Sequence, residues 1–330
     1  MIQGENGSGK TSLLEAIAYA SVLKSFRTTQ KDSLIRAGSE RAEVACDLLE
    51  GERRIEIRLR IDPVRKDQTV LNGQRLQAAR ELAEVLRTTL FTPDDLALVK
   101  GPPAGRRDLL DDAVFATSAR RAATRAELER ILRQRNALLR QVGGRLRPDT
   151  ELSLDVWDER LAEVGEEVAA TRAELTEALS PYAKEAFGTL APDAGPLELR
   201  YERSFSLPLL EALRAHREED LRRQLTLTGP QRDELAVSAG GLDARTRLSQ
   251  GRQRCVALAL RLATHRYVAE VTGRLPLLLL DDAFSELDER TGRALMAELP
   301  AGQALLTTAG RLPPGASPAS VVRLQNGAIL

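Results

Sequence analysis

Two cysteines, two histidines and one tryptophan are all that this chain of 330 residues holds of those types, and each scarcity closes off a class of function. Cys46 and Cys255 lie far apart without metal-like spacing, which argues against a disulfide-built or zinc-built scaffold and for a reducing compartment. No apolar run approaches the length of a membrane span, and the first residues lack the charged and apolar regions of a signal peptide. The expectation is a cytoplasmic protein with no membrane partner. Lysine plus arginine number 48 and aspartate plus glutamate 48, so no global field draws in nucleic acid and any basic patch must be local. With 42% hydrophobic residues, a chain of this length can bury cores for two domains.

What is present begins at residue 4. Gly4-Glu5-Asn6-Gly7-Ser8-Gly9-Lys10-Thr11 fits G-x-x-x-x-G-K-[ST], a pattern whose glycines let the backbone curl so that successive N–H groups face phosphates. In such a loop Lys10 reaches the β- and γ-phosphates of ATP and the Thr11 hydroxyl ligates Mg²⁺. The helix that begins there, with Ser12 in its first turn, adds its positive end. Leu13, Leu14, Ile17 and Ala18 supply the helical spacing. A chance glycine-rich turn is the alternative, and a second motif weighs against it. Leu277 to Leu280, followed by Asp281 and Asp282, reads as an apolar strand ending in acids. There Asp281 would hold Mg²⁺ through water opposite Thr11, and Asp282 could act as the base that orients an attacking water. The bland reading of the same stretch is a buried parallel strand with acids at its exposed end.

Between the motifs, Ile55, Ile57, Leu59 and Ile61 alternate with Arg54, Glu56, Arg58 and Arg60. With Gly51 and Asn72-Gly73 as turns, an antiparallel sheet is expected over residues 42–76. A helix from Ala78 to Arg87 and a strand near Leu90 follow. Residues 109–223 read as long helices. Nine arginines between Arg120 and Arg147 face only Glu127 and Glu129, whereas residues 151–177 are acidic. This suggests an antiparallel helix pair turning at Gly143-Gly144 and Pro148. Mutual neutralisation and DNA contact by some arginines both remain open for this pair. Trp157 reads as core, because a single aromatic makes no stacking platform. Strand and turn patterns return past Leu225. The division is therefore 1–108, the first part of a nucleotide-binding lobe; 109–224, an inserted helical lobe; and 225–330, the second part.

A whole lobe thus separates Lys10 from Asp281, two residues that must be neighbours in space. Just upstream of the second motif, "LSQGRQR" (Leu248 to Arg254) resembles the signature of ABC-type ATPases, and "FSELD" after Asp282 resembles their D-loop. The resemblance implies that Ser249, Gln250 and Gly251 grip the γ-phosphate of a nucleotide held by a second subunit, giving a homodimer with ATP. Ser249 as a plain helix N-cap is compatible with that reading.

Taken with "FTPDDLALVKGPPAGRRDLLD", "LTGPQRDEL", "SFRTTQKDSLI" and "LLLLDDAFSELDERTGRAL", these segments resemble the RecF family, SMC-like recombination and repair ATPases of bacteria. The fold implied is α/β: an ABC-ATPase-like P-loop lobe with an inserted α-helical lobe, as in an SMC head, with the family's strands ahead of the P-loop missing from this sequence. The function implied is ATP-dependent binding of DNA near junctions of single strand and duplex, with weak DNA-stimulated ATPase activity, working with RecO and RecR and helping to load RecA at gaps. Gln231 stands where the family usually has histidine. His216 and His265 both precede the Asp281 strand, leaving Thr307 or Thr308 as the γ-phosphate sensor. The competing readings are a nucleotide-gated DNA clamp with negligible turnover, which the short side chain of Asp282 would suit, and a transporter-type ABC ATPase.

Overall fold

The computed structural model describes residues 1–28, 30–65, 67–76, 80–143, 148–310, 312–313 and 315–330. Two compact units result: Met1–Asp94 with Val268–Leu330, and Asp95–Tyr267. These divisions differ from the lines drawn above at 108/109 and 224/225, both of which fall inside the second unit.

In the first unit, β1 (Ile2–Gln3), β6 (Thr88–Phe91), β10 (Leu277–Leu280), β11 (Ala304–Thr308), β12 (Val322–Gln325) and β13 (Ala328–Ile329) form one sheet in the order β13-β12-β1-β11-β10-β6. All its pairings are parallel except the β12–β13 hairpin. The leucine run of β10 is flanked by β6 and β11, which is why it reads as continuously apolar. The two residues of β1 sit between β11 and β12. Helix α1 (Lys10–Val22) follows, burying Leu14 and Ala18 against Ile2, Leu279 and Leu324.

A second, antiparallel sheet contains β2 (Ala42–Glu50), β3 (Arg53–Ile61), β4 (Gln68–Leu71) and β5 (Gln74–Arg75). The period-2 pattern of β3 places Ile57, Leu59 and Ile61 in a core with Tyr19 and Ala20 of α1 and with Leu82. Asn72 and Gly73, at φ 49° and 80°, make the tight turn their dipeptide predicts. Helix α2 covers Arg80–Val85; the expected helix start at Ala78 lies outside the described residues. Helix α11 (Glu289–Glu298) is N-capped by Asp288, whose carboxylate accepts from Thr291 N at 2.8 Å.

The second unit holds α3 (Leu96–Lys100), α4 (Pro103–Thr117), α5 (Ala119–Val142), α6 (Pro148–Leu190), β7 (Leu197–Glu202), α7 (Leu209–Ala215), α8 (Arg217–Arg223), β8 (Glu234–Ala239), β9 (Leu242–Asp243) and α9 (Ala244–Arg247), with most of α10 (Gln250–Thr272). Cross-contacts Arg121–Glu174, Thr124–Glu167 and Arg160–Glu127 run in opposite directions along α5 and α6, so the pair is antiparallel as expected. Gly143 closes α5 in the left-handed conformation and Pro148 opens α6. Trp157 is half-buried against Leu128, Ile131 and Leu161. The expectation of long helices alone over residues 109–223 is corrected by β7, which pairs antiparallel with β8 in a three-stranded sheet with β9. That pairing, together with α4 running through residue 108 and the Arg106–Glu234 and Arg172–Asp111 ion pairs at 2.7 Å, moves both unit boundaries outward.

Arg135 shows where part of the basic charge of α5 goes. Fully buried, it bonds Asp158 and Asp220 at 2.7 Å and Thr226 at 2.9 Å. Arg121, Arg125 and Arg130 are also ion-paired. No helix among the described residues is long and apolar enough to cross a membrane. Removing one partner from a buried ion network strands the others, so Arg135→Ala is expected to lose about 3–5 kcal/mol in urea unfolding. A loss under about 1 kcal/mol would mean that Arg217 on Asp158 and the Leu227 N–H on Asp220 are enough to hold the two acids.

Candidate functional site

The loop from Gly4 to Gly9 connects the end of β1 to α1, with Gly7 at φ 83° and Gly9 at φ 98°, conformations that L side chains rarely adopt. Gly4 is required for space: a Cβ there would stand 2.5 Å from the Leu324 carbonyl oxygen and 2.5 Å from Ser8 Oγ. Gly4 N donates to Thr308 O at 3.3 Å, and Ser8 N to Glu5 O at 3.1 Å. The Lys10 side chain folds back over the loop, with Nζ donating to Gly4 O at 2.7 Å and Glu5 O at 2.9 Å. Lys10 is buried, while Glu5, Asn6, Gly7 and Ser12 are exposed.

Residues from opposite ends of the chain meet next to Lys10. Asp281, buried at the end of β10, accepts from Thr11 Oγ1 at 3.0 Å and from Thr307 Oγ1 at 2.8 Å, both on Oδ1. Asp282 is half-buried at φ 48°, a left-handed conformation that is costly for a non-glycine residue, and its N–H donates to Thr307 Oγ1 at 2.9 Å. Thr307 therefore holds the Asp281 carboxylate and the Asp282 backbone at once. Thr308, the other sensor candidate, accepts from Gly310 N at 3.2 Å. The structure thus brings Lys10, Thr11, Asp281, Asp282 and Thr307 together within the first unit.

Ser249, Gln250 and Gly251 belong to the other unit, at the exposed start of α10, where Ser249 O accepts the helix's first bond from Gln253 N at 2.9 Å. Ser249 therefore occupies the N-cap position. By sequence this stretch falls in the same lobe as Asp281; its helix packs instead within the second unit, through Cys255 Sγ on Leu190 O at 3.8 Å and Arg261 on Asp95 at 2.8 Å.

Three further contacts are not legible in the sequence. The two stretches "GRRDLLD" and "GPQRDEL" interlock: Arg106 pairs with Glu234, Arg107 donates to Asp233 O at 2.7 Å, and Arg172 bridges Asp111 and Pro230 O. Gln231, in place of histidine, turns its Nε2 to Thr228 O at 2.9 Å. Finally, the Asn326-Gly327 turn between β12 and β13 reaches the loop, Gly327 N donating to Ser8 O at 3.0 Å. Its Asn-Gly dipeptide was a readable hairpin signal; its destination was not.

Because Thr307 Oγ1 both donates to Asp281 and accepts from Asp282 N, Thr307→Val strands a buried carboxylate lone pair and a backbone N–H. The expected loss is about 1–3 kcal/mol of unfolding free energy, with Thr307→Ser retaining most of it, as read by chemical denaturation.

Residues 1–304 match the sequence profile of the RecF/RecN/SMC N terminal domain. The DNA replication and repair protein RecF of Streptomyces avermitilis is 41% identical over 324 residues, covering 93% of this chain and 86% of that protein. The protein of the same name from Acidothermus cellulolyticus is 37% identical over 318 residues, covering 92% and 85%. Among solved structures, the recombination mediator protein RecF with ATP, of the RecFOR pathway, superimposes with a TM-score of 0.90 at 26% identity, over 99% of this chain and 90% of that one. An Smc head bound to the C-winged helix domain of ScpA shares the fold, with a TM-score of 0.57 at 20% identity over 99% and 87%.

Proposed function

We propose that this chain, which belongs to the RecF family, is an ATP-dependent DNA-binding protein of replication and recombinational repair. The observation that carries this reading is the meeting of Lys10, Thr11 and Asp281 at one end of the parallel sheet, with the Thr11 and Asp281 oxygens 3.0 Å apart. The residues fit a nucleotide with its metal. Gly4 leaves no room for a side chain in the cradle. Lys10 supplies a cation that in this structure is held by two loop carbonyls, and Thr11 with Asp281 supplies the hard oxygen donors that Mg²⁺ prefers. When bound, the metal neutralises charge on the β- and γ-phosphates.

The chain's own residues divide the remaining work. Backbone N–H groups of the loop through Thr11 other than those of Gly4 and Ser8, which are held by Thr308 O and Glu5 O, bind the phosphates, with Ser12 at the start of α1. Lys10 exchanges its two carbonyl partners for phosphate oxygens. Asp282, its backbone held by Thr307, orients a water and accepts its proton. Ser249, Gln250 and Gly251 of a second subunit close over the γ-phosphate, so ATP joins two chains and its hydrolysis releases them. The DNA sites are junctions of single strand and duplex, and the partners are RecO and RecR, with RecA loaded at the gap. A second reading, a DNA clamp with very slow turnover, is favoured by Asp282 being one methylene shorter than glutamate. Measuring ATP turnover with and without gapped DNA separates the two.

Lys10→Ala is expected to lose ATP binding and, with it, ATP-driven dimerisation. Ser249→Arg is expected to bind ATP as a monomer yet fail to dimerise. Mixed, the two should regain part of the dimer and turnover, because one of the two composite sites would pair an intact loop with an intact signature. Sedimentation and ATPase assays at equal total protein read the outcome, and no recovery at any ratio would count against the shared site. For Asp282→Asn, turnover should fall by about a hundredfold or more while the ATP-bound dimer persists. Loss of ATP binding in that variant would place Asp282 among the metal's ligands instead.

A further inference from the structure

The phosphate-binding loop has little in its own sequence to hold it in one shape. It contains Gly4, Gly7 and Gly9, and glycine has the most backbone freedom to lose. Within the loop, order comes from Ser8 N on Glu5 O and from the Lys10 ammonium on two carbonyls. That ammonium is the group which must leave those carbonyls when phosphate arrives. Two bonds come from outside the loop: Gly4 N to Thr308 O on β11, and Gly327 N to Ser8 O from the β12–β13 turn.

The second of these bonds has a directional effect. In a trans peptide the C=O and the following N–H point in opposite directions across one rigid plane. Holding Ser8 O on the hairpin therefore turns the Gly9 N–H away from the hairpin. The strand leading into the turn is just as close, since the Leu324 carbonyl fills the space a Gly4 side chain would need. The turn is stiff in its own right: Asn326 at φ 51° and Gly327 at φ 79° form a two-residue hairpin connection of the Asn-Gly kind. Beyond it, Gly9 is close enough that an added Cβ would sit 3.5 Å from Gly327 Cα.

We infer that the β12–β13 turn is a positioning strut for the phosphate-binding loop, with the Gly327 N–H setting the Ser8–Gly9 peptide plane through Ser8 O. The inference rests on the nucleotide reading of that loop. It makes Gly327 a positioning residue some three hundred positions from the motif it serves.

A matched control exists inside the same unit. Asn72-Gly73 is the same kind of turn, at φ 49° and 80°, and nothing lies within 4 Å of where a Gly73 Cβ would stand. Gly327→Val and Gly73→Val should each disturb a left-handed glycine and lower the melting temperature. Only Gly327→Val should also weaken ATP binding, by about tenfold, the scale of one lost hydrogen bond. Gly327→Asn, which tolerates the left-handed conformation, should restore it. Equal affinity in Gly327→Val and wild type, or equal loss in both valine variants, overturns the strut.

If Gly327→Val does not fold, hydrogen exchange on the wild-type chain replaces it. Saturating ATP should slow exchange at the Gly327 amide and leave the Gly73 amide unchanged, and no slowing at Gly327 overturns the inference. Absence of any ATP binding by the wild type would instead refute the nucleotide reading. In that case faster exchange at the Ser8, Gly9 and Lys10 amides of Gly327→Ala, without nucleotide, still tests the strut, and unchanged exchange there overturns it.

Discussion

One carboxylate oxygen ties the first unit together. Asp281 Oδ1 accepts from Thr11 at the start of α1 and from Thr307 at the end of β11, and the carboxylate is buried. A buried charge without donors is expensive, so the three segments that supply acid and hydroxyls are fixed against one another. The sheet expresses the same constraint: β1, only two residues long, lies between β11 and β12, and β10 lies between β11 and β6. Two segments at the far ends of the chain thus become neighbours, and every group proposed to meet phosphate or metal in the first unit hangs from that junction.

The second unit depends on a different economy of charge. The basic run from Arg120 to Arg147 reads from sequence as either DNA-contacting or mutually neutralised along solvated faces; Arg121, Arg125 and Arg130 are neutralised by ion pairs, while Arg135 is drawn into the interior. Arg106, Arg135 and Arg172 are buried and held by Glu234, Asp158, Asp220 and Asp111. These guanidiniums cross-link α4, α5, α6, α8 and the start of β8, elements spread over more than a hundred positions. Arginine suits the task because its planar fork meets a carboxylate with two parallel bonds. Arg172 on Asp111 and Arg106 on Glu234 both do so, with distances of 2.7 and 2.8 Å. Helix α10 joins the same unit through Arg261 on Asp95 and Cys255 on Leu190 O.

Much of this was legible in the sequence, and the legible parts share a cause. The loop at Gly4 to Thr11, the leucine run with Asp281 and Asp282, the alternation along β3 and the Asn72-Gly73 turn are each governed by local rules: glycine conformations, side-chain period and turn chemistry. The antiparallel α5–α6 pair was readable from its complementary charge. The strand β7 was missed because helical spacing on either side outweighed a six-residue alternation. Its signals, Pro192 and Gly195-Pro196 before Leu197, Leu199 and Tyr201, were present.

The sequence by itself determined the kinds of element, the order of the motifs and the residue types at the phosphate loop, since those follow from chemistry within a few positions along the chain. Only the tertiary structure decided that Thr307 serves both acids, that the signature helix is built into the inserted unit, that "GRRDLLD" locks onto "GPQRDEL", and that the Asn326-Gly327 turn ends against Ser8. Each of those is a pairing between residues far apart in the chain, selected by which donor reaches which acceptor once the sheets and helices have packed. No local pattern encodes that selection, because the same hydroxyl, guanidinium or N–H would satisfy many partners before folding chooses one.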